Sequence, residues 1–123
     1  MPSGELNIVA IVDDDGDVRD VLDALLEQAG HAVRTYNSGQ QLLDDTDLND
    51  IACLVVDQKM PGMTGLDLLR ALDASGRTIP SLLITGAPDP VLAEEARALG
   101  AIDVLSKPID FTRLLQLVGY TAQ

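Results

Sequence analysis

Basic residues are scarce in this chain: 8 Lys and Arg stand against 20 Asp and Glu in 123 residues, a net charge of −12. A nucleic-acid surface needs stripes of Lys and Arg to displace phosphate counterions, and an anionic membrane needs the same, so no nucleic acid and no membrane partner is expected. Aromatic residues are scarcer still: Phe111, Tyr36 and Tyr120 are too few to stack around a flavin ring. Cysteine occurs once, at Cys53 within "IACLVV", where it can form no intrachain disulfide and has the setting of a small core residue, which fits a reduced compartment. Long apolar runs are missing too. The first, "LNIVAIV", is short, broken by Asn7 and not preceded by a basic stretch, so neither a secretory signal nor a membrane span is read there, and a cytoplasmic location is expected.

What the chain does have is a core and an alternation. Apolar residues make up 46% of 13.1 kDa, enough for one globular domain over residues 1–123. Short β-branched runs, "LNIVAIV", "HAVRTY", "IACLVV", "PSLLIT" and "AIDVL", alternate with longer amphipathic segments, the pattern of βα units around a parallel sheet. In the first helix Val18, Val21, Leu22, Leu25, Leu26 and Ala29 share one face, Asp15 or Asp17 caps the start and Gly30 stops it. A second helix starts after Ser38 with Leu42 and Leu43, and a third carries Leu66, Leu69 and Leu72. The fourth opens on Asp89 and Pro90 and closes before Gly100, and the fifth runs from about Asp110 to Val118.

In such a sheet, ligands bind at the carboxyl ends of the strands, beside the switch in strand order. After the first strand come Asp13, Asp14 and Asp15; the third ends in Asp57, the fourth in Thr85 and Gly86, the fifth in Lys107 and Pro108. Asp15 and Asp17 are accounted for by capping the helix that follows. Capping explains at most one of Asp13 and Asp14, and nothing local explains an acid at the buried end of "CLVVD". Carboxylates this close repel unless a cation sits among them. Hard oxygen donors suit Mg²⁺, which commonly takes one or two carboxylates plus phosphate oxygens. A carboxylate beside that ion can attack phosphorus and form an acyl phosphate, while the protein neutralises the equatorial oxygens. Mg²⁺ would hold one of them, Lys107 a second, and Thr85 with a neighbouring backbone N–H the third.

Taken together, "VDDD", "VVDQKMPGMTGLDLL", "LLITG" and "LSKP" resemble, in order and from about Leu6 to Val118, the receiver domain of two-component response regulators. The resemblance implies a doubly wound, flavodoxin-like α/β fold with five helices and five parallel strands in the order 2-1-3-4-5. It implies a histidine kinase or phosphotransfer protein as phosphodonor, a downstream output domain or target protein, and Mg²⁺ as cofactor. Carried over by residue, Asp57 is the phosphoacceptor, Asp13 and Asp14 with the backbone carbonyl of Lys59 hold the metal beside Asp57, Thr85 is the switch hydroxyl and Lys107 the phosphate clamp. Such a domain is a signalling receiver that catalyses only its own phosphorylation and dephosphorylation. The bond before Pro108 is often cis in this family. One residue departs from the pattern: Val104 stands where Tyr or Phe is usual, which puts the coupling of Thr85 to a rotating ring in question. The fifth helix offers only Arg113 as a basic residue, so a salt-bridged dimer through it is poorly supplied and no more than a weak homodimer is expected.

"DDDGD" also fits the opening D-x-D-G of haloacid dehalogenase-type phosphatases, with Asp13 as nucleophile and Asp15 as general acid. Those enzymes usually follow the glycine with Thr, where this chain has Asp17, and need a later acidic motif for which only Asp110 is available.

Overall fold

The computed structural model describes residues 7–45 and 47–122. Five parallel strands, β1 (Ile8–Val12), β2 (Ala32–Tyr36), β3 (Ile51–Asp57), β4 (Ser81–Thr85) and β5 (Ala101–Ser106), alternate with α1 (Gly16–Gln28), α2 (Gly39–Asp44), α3 (Gly65–Ala74), α4 (Pro90–Ala98) and α5 (Phe111–Thr121). The sheet order is β2-β1-β3-β4-β5, the doubly wound order that the resemblance implied. Leu6, placed in the first strand and at the start of the resemblance, lies outside the described residues.

Side chains alternate across a strand, so the continuous apolar runs feed two cores. Ala10, Val12, Leu54, Val56 and Leu83 pack with Leu42 of α2, Leu66, Leu69 and Leu72 of α3 and Ala96 of α4. Val9, Ile11, Cys53, Val55, Leu82 and Ile84 pack with Leu22 and Leu26 of α1 and Leu114 and Val118 of α5. Right-handed crossovers explain the partition: the step from β1 to β2 runs opposite to the later steps, so α1 lands on the face opposite α2, α3 and α4. Its reversal between β1 and β3 opens the crevice at their carboxyl ends.

All five helices begin on a side-chain cap. Asp15 accepts from the N–H of Asp17 and Val18, Ser38 from Gln41, Asp89 from Val91 and Asp110 from Arg113, while Thr64 and Asp67 form a reciprocal capping box. Each such cap contributes about 1 kcal/mol. The first helix differs from its predicted face in three residues, because Val21, 48% exposed, Leu25 and Ala29 are not in the core. Only Leu22 and Leu26 of α1 are fully buried against the sheet; Val21 lies on the flank, beside Ile109 and Phe111. Helix α5 continues past Val118 to Thr121, since Gly119 adopts helical backbone and no breaker follows it.

Gly65 sets how closely α3 approaches the end of β3. Its N–H donates to the Gln58 carbonyl at 3.0 Å, and a Cβ there would stand 2.7 Å from the Asp57 carbonyl oxygen and 2.6 Å from Leu83 Cδ1. Backbone on one side and a packed core on the other leave no room for relaxation. Gly119 in α5 has nothing within 4 Å of the same position. Helical glycine to alanine normally stabilises, so Gly119→Ala is expected to raise stability by about 0.4–1 kcal/mol. Gly65→Ala is expected to lower it by about 1–3 kcal/mol through overpacking. Urea unfolding of the two variants checks the opposite signs.

Candidate functional site

Strand register decides which side chains meet. Val12 pairs with Val56 and Asp57 with Ile84, so Asp13 leaves β1 level with Asp57. The N–H of Gln58 donates to the Ile84 carbonyl at 2.8 Å and that of Lys107 to the Thr85 carbonyl at 2.9 Å, which carries the pairing with β4 one residue past the ends of β3 and β5. Asp13 and Asp57 continue the parity of Ile11 and Val55, the side of the sheet that α1 and α5 cover. Thr85 continues the parity of Leu83, on the other side.

Asp13, Asp14 and Asp57 each offer a carboxylate oxygen, all within 4.8 Å of one another. Asp13 and Asp57 are each only 4% exposed, whereas Asp14 is open to solvent. Lys107 Nζ lies 2.9 Å from Asp57 Oδ1. That oxygen is buried and receives no directed hydrogen bond, so the ammonium offsets its charge as a point charge. The Lys107–Pro108 bond is cis, as the resemblance implied. Three carboxylates against one ammonium leave two negative charges at the site, and all the donors are hard oxygens; the donor set fits one Mg²⁺.

The remaining predicted residues stand at the margin of this cluster. Thr85 is buried, and its Oγ1 accepts the Ala87 N–H at 3.1 Å, so the hydroxyl is engaged with its own loop. It borders a cleft of about 600 Å³ that Gln58 and Lys59 also line. On its other flank a groove of about 240 Å³ separates Thr85 from Val104, which is half-buried. The phosphatase reading is not supported. Asp15, its general acid, is exposed and spends its carboxylate capping α1, and the phosphate-binding lysine sits on Asp57.

Two residues that the sequence did not single out help to hold the loops. Gln58 Oε1 accepts the Leu66 N–H at 2.8 Å, a free donor at the start of α3. Arg19 Nη1 donates to the Asp13 carbonyl at 2.7 Å. Nothing in the spacing marks Gln58; Arg19 is at least conspicuous as a cation among five aspartates, with Asp13, Asp14, Asp15 and Asp17 before it and Asp20 after it.

Burial pushes the Asp13 carboxyl up, the Asp15 N–H hydrogen bond opposes this, and Asp57 raises it further. The Asp57 carboxylate beside Lys107 holds the ammonium above its usual value. Cys53, dry in the core, has its thiol pushed up to about 12 and is chemically idle. For Asp13 the sign of the linkage is unfavourable at neutral pH. Its folded-state value is raised, so its stabilising contribution is full below about pH 4 and lost as pH rises through the folded-state value. Asp13→Asn keeps the acceptor for the Asp15 N–H and removes the charge. Thermal unfolding without metal is expected to show a higher midpoint for this variant at pH 7 and no advantage near pH 3.

The sequence model of the response regulator receiver domain matches residues 9–119. The transcriptional regulatory protein FixJ of Azorhizobium caulinodans is 42% identical over 110 residues, 89% of this chain and 52% of that protein. FixJ of Bradyrhizobium diazoefficiens is 38% identical over 110 residues, 89% of this chain and 54% of that protein. The crystal structure of FixJ-N is similar at a TM-score of 0.80 and 36% identity, covering 94% of this chain and 92% of that one. The chain thus spans about half the length of the curated relatives it matches. Receivers of this family are signalling domains that bind Mg²⁺ at an acidic site, and the strand-end cluster of Asp13, Asp14 and Asp57 fits that site. The chain belongs to the response regulator receiver domains of two-component systems.

Proposed function

We propose that Asp57 accepts a phosphoryl group from the phosphohistidine of a histidine kinase or phosphotransfer protein. The observation that carries this reading is the buried Asp57 Oδ1, free of directed hydrogen bonds and 2.9 Å from the Lys107 ammonium. A carboxylate oxygen of Asp57 attacks phosphorus, the P–N bond breaks, and the imidazole leaves with the bonding pair. Water attacking the same phosphorus regenerates the carboxylate and releases phosphate, which limits the lifetime of the signal. Mg²⁺, held by Asp13, Asp14, Asp57 and the Lys59 carbonyl, would neutralise charge on a phosphoryl oxygen. Lys107 neutralises a second, moving from the carboxylate to the phosphoryl group. Cytoplasmic phosphodonors and an output domain or target protein are the partners this role requires.

Intact mass after incubation with acetyl phosphate tests the assignment. Wild type is expected to gain one Mg²⁺-dependent, hydroxylamine-labile phosphoryl group, Asp57→Asn none, and Asp13→Asn less at equal metal. Labelling that persists in Asp57→Asn would refute the role of Asp57.

The output follows from Thr85. A phosphoryl group on Asp57 offers its hydroxyl a stronger, charged acceptor, and drawing it in releases the Ala87 N–H and the β4–α4 loop with it. A ligand shifts a conformation only by its differential affinity for the two states, and this contact supplies that difference. Val104 has no ring to swing, so the change is expected in the backbone and surface of α4 and β5. Hydrogen exchange over residues 86–106, with and without beryllofluoride, is expected to lose its response in Thr85→Ala and keep it in Val104→Ala.

A further inference from the structure

We infer that Arg19 is a positioning residue for the acidic pair: bonded to the Asp13 carbonyl, its guanidinium fixes the peptide that joins Asp13 to Asp14 and so aims both carboxylates. The inference rests on the metal reading above and adds to it a side chain that need not touch the metal.

Three hydrogen bonds define this turn. The Asp13 N–H donates to the Tyr36 carbonyl at 3.2 Å, Asp13 Oδ1 accepts the Asp15 N–H at 2.9 Å, and Arg19 Nη1 reaches the Asp13 carbonyl at 2.7 Å. The first fixes the peptide before Asp13, and the second ties the Asp13 side chain to the peptide that follows Asp14. Only the third acts on the peptide that joins Asp13 to Asp14, and Asp14 is exposed with no side-chain hydrogen bond among the described residues. Loss of the arginine would orphan a partly buried carbonyl and free that peptide to rotate, swinging Asp14 away from Asp13 and Asp57.

The sequence is arranged for this reach. Helical side chains lean toward the N-terminus, so an arginine in the second turn of α1 lies back over the preceding loop. The guanidinium passes over Gly16, where a Cβ would lie in ordinary contact, 3.4 Å from Arg19 Nη2. The placement has no electrostatic gain within the helix, whose N-terminal end disfavours a cation. Among the described residues Arg34, Arg70, Arg97 and Arg113 each have a carboxylate within 4.0 Å, whereas Arg19 bonds a main-chain carbonyl although Asp15, Asp20 and Asp23 are near in sequence.

Charge and positioning make opposite forecasts for Mg²⁺. If Arg19 were only a nearby cation, Arg19→Ala would relieve repulsion and tighten Mg²⁺ binding. As a positioning residue it should weaken binding on the order of tenfold, as loss of a partner behind a metal ligand commonly does. The experiment is a Mg²⁺ titration followed by amide chemical shifts, with amide exchange at residues 13–17 measured without metal and thermal unfolding as the check on folding. Expected are weaker binding and faster exchange in Arg19→Ala, with substantial recovery in Arg19→Lys, which keeps a donor and the charge and stands as the test should the alanine variant not fold. Arg19→Ala binding Mg²⁺ as tightly as wild type or tighter, or binding weakly with unchanged exchange at 13–17, overturns the positioning role alone. Wild type that takes up no Mg²⁺ overturns the metal reading and this inference with it.

Discussion

Electrostatic repulsion at one edge of the sheet is the constraint around which the rest is arranged. Parallel register puts Asp13 level with Asp57, and the chain adds Asp14 beside them, so three carboxylates share a space that the protein furnishes with one close ammonium. Two of the three are buried, where like charges are felt most strongly. An arrangement tuned for stability alone would replace Asp13 or Asp57 with an apolar or amide side chain. Its retention makes sense for a site whose remaining negative charge is matched by a divalent cation. Adding a phosphoryl group then increases the demand for positive charge, which ties the switch to the same imbalance.

The loops bear the mechanical side of that imbalance. Mutually repelling groups stay together only if the backbone carrying them cannot yield, and here each loop is fastened by side chains from outside the cluster. Arg19 holds the turn after β1, Gln58 ties the turn after β3 to the start of α3, and Gly65 lets α3 dock directly against the Asp57 peptide. These contacts use main-chain carbonyls and N–H groups, whose cost when left unpaired is independent of pH and nearly independent of salt. Repulsion between carboxylates, by contrast, is screened as they approach solvent. A pH-independent frame around a charge-dependent centre lets the centre change its charge without the fold following it.

How much of this was legible in the sequence depended on the range of the interaction. Strand runs, a cap at Asp15 or Asp17 and one at Asp89, helix starts near Ser38 and Asp110, and the strand-end positions of Asp57, Thr85 and Lys107 follow from local pattern; the structure settles the first cap on Asp15 and makes Ser38 and Asp110 caps as well. Val21 has the spacing of the buried face; the width of the stripe that α1 presents to the sheet is a tertiary quantity, and full burial stops at Leu22 and Leu26. The contacts of Arg19 and Gln58 were invisible for a different reason. Their partners are backbone atoms, and a backbone atom leaves no residue-type signature to match against. The pairing of Asp57 with Lys107 rather than Asp13 with Lys107 likewise needed coordinates, since both acids precede the lysine at strand ends.

The two faces of the sheet also divide the labour. The charged cluster continues the parity of the α1 and α5 side, while Thr85 continues that of the α2 to α4 side, beside the groove that reaches Val104. Thr85 is therefore the residue at this edge placed toward α4 and β5, and under the proposed function it is the one through which a phosphoryl signal would pass to them. Beyond it the surface is electrostatically closed on itself: Arg97 of α4 and Arg113 of α5 both lie within 4.0 Å of the Asp103 carboxylate of β5. Arg113 is the sole basic residue of α5, so its commitment within the chain leaves little to form ion pairs with a second copy. Exposed pairs of this kind are individually worth under about 1 kcal/mol, weak enough for a shift of α4 relative to β5 to break them. A signal arriving through Thr85 would then be expressed as the release of charges already present on that face, in place of the reorientation of an aromatic ring.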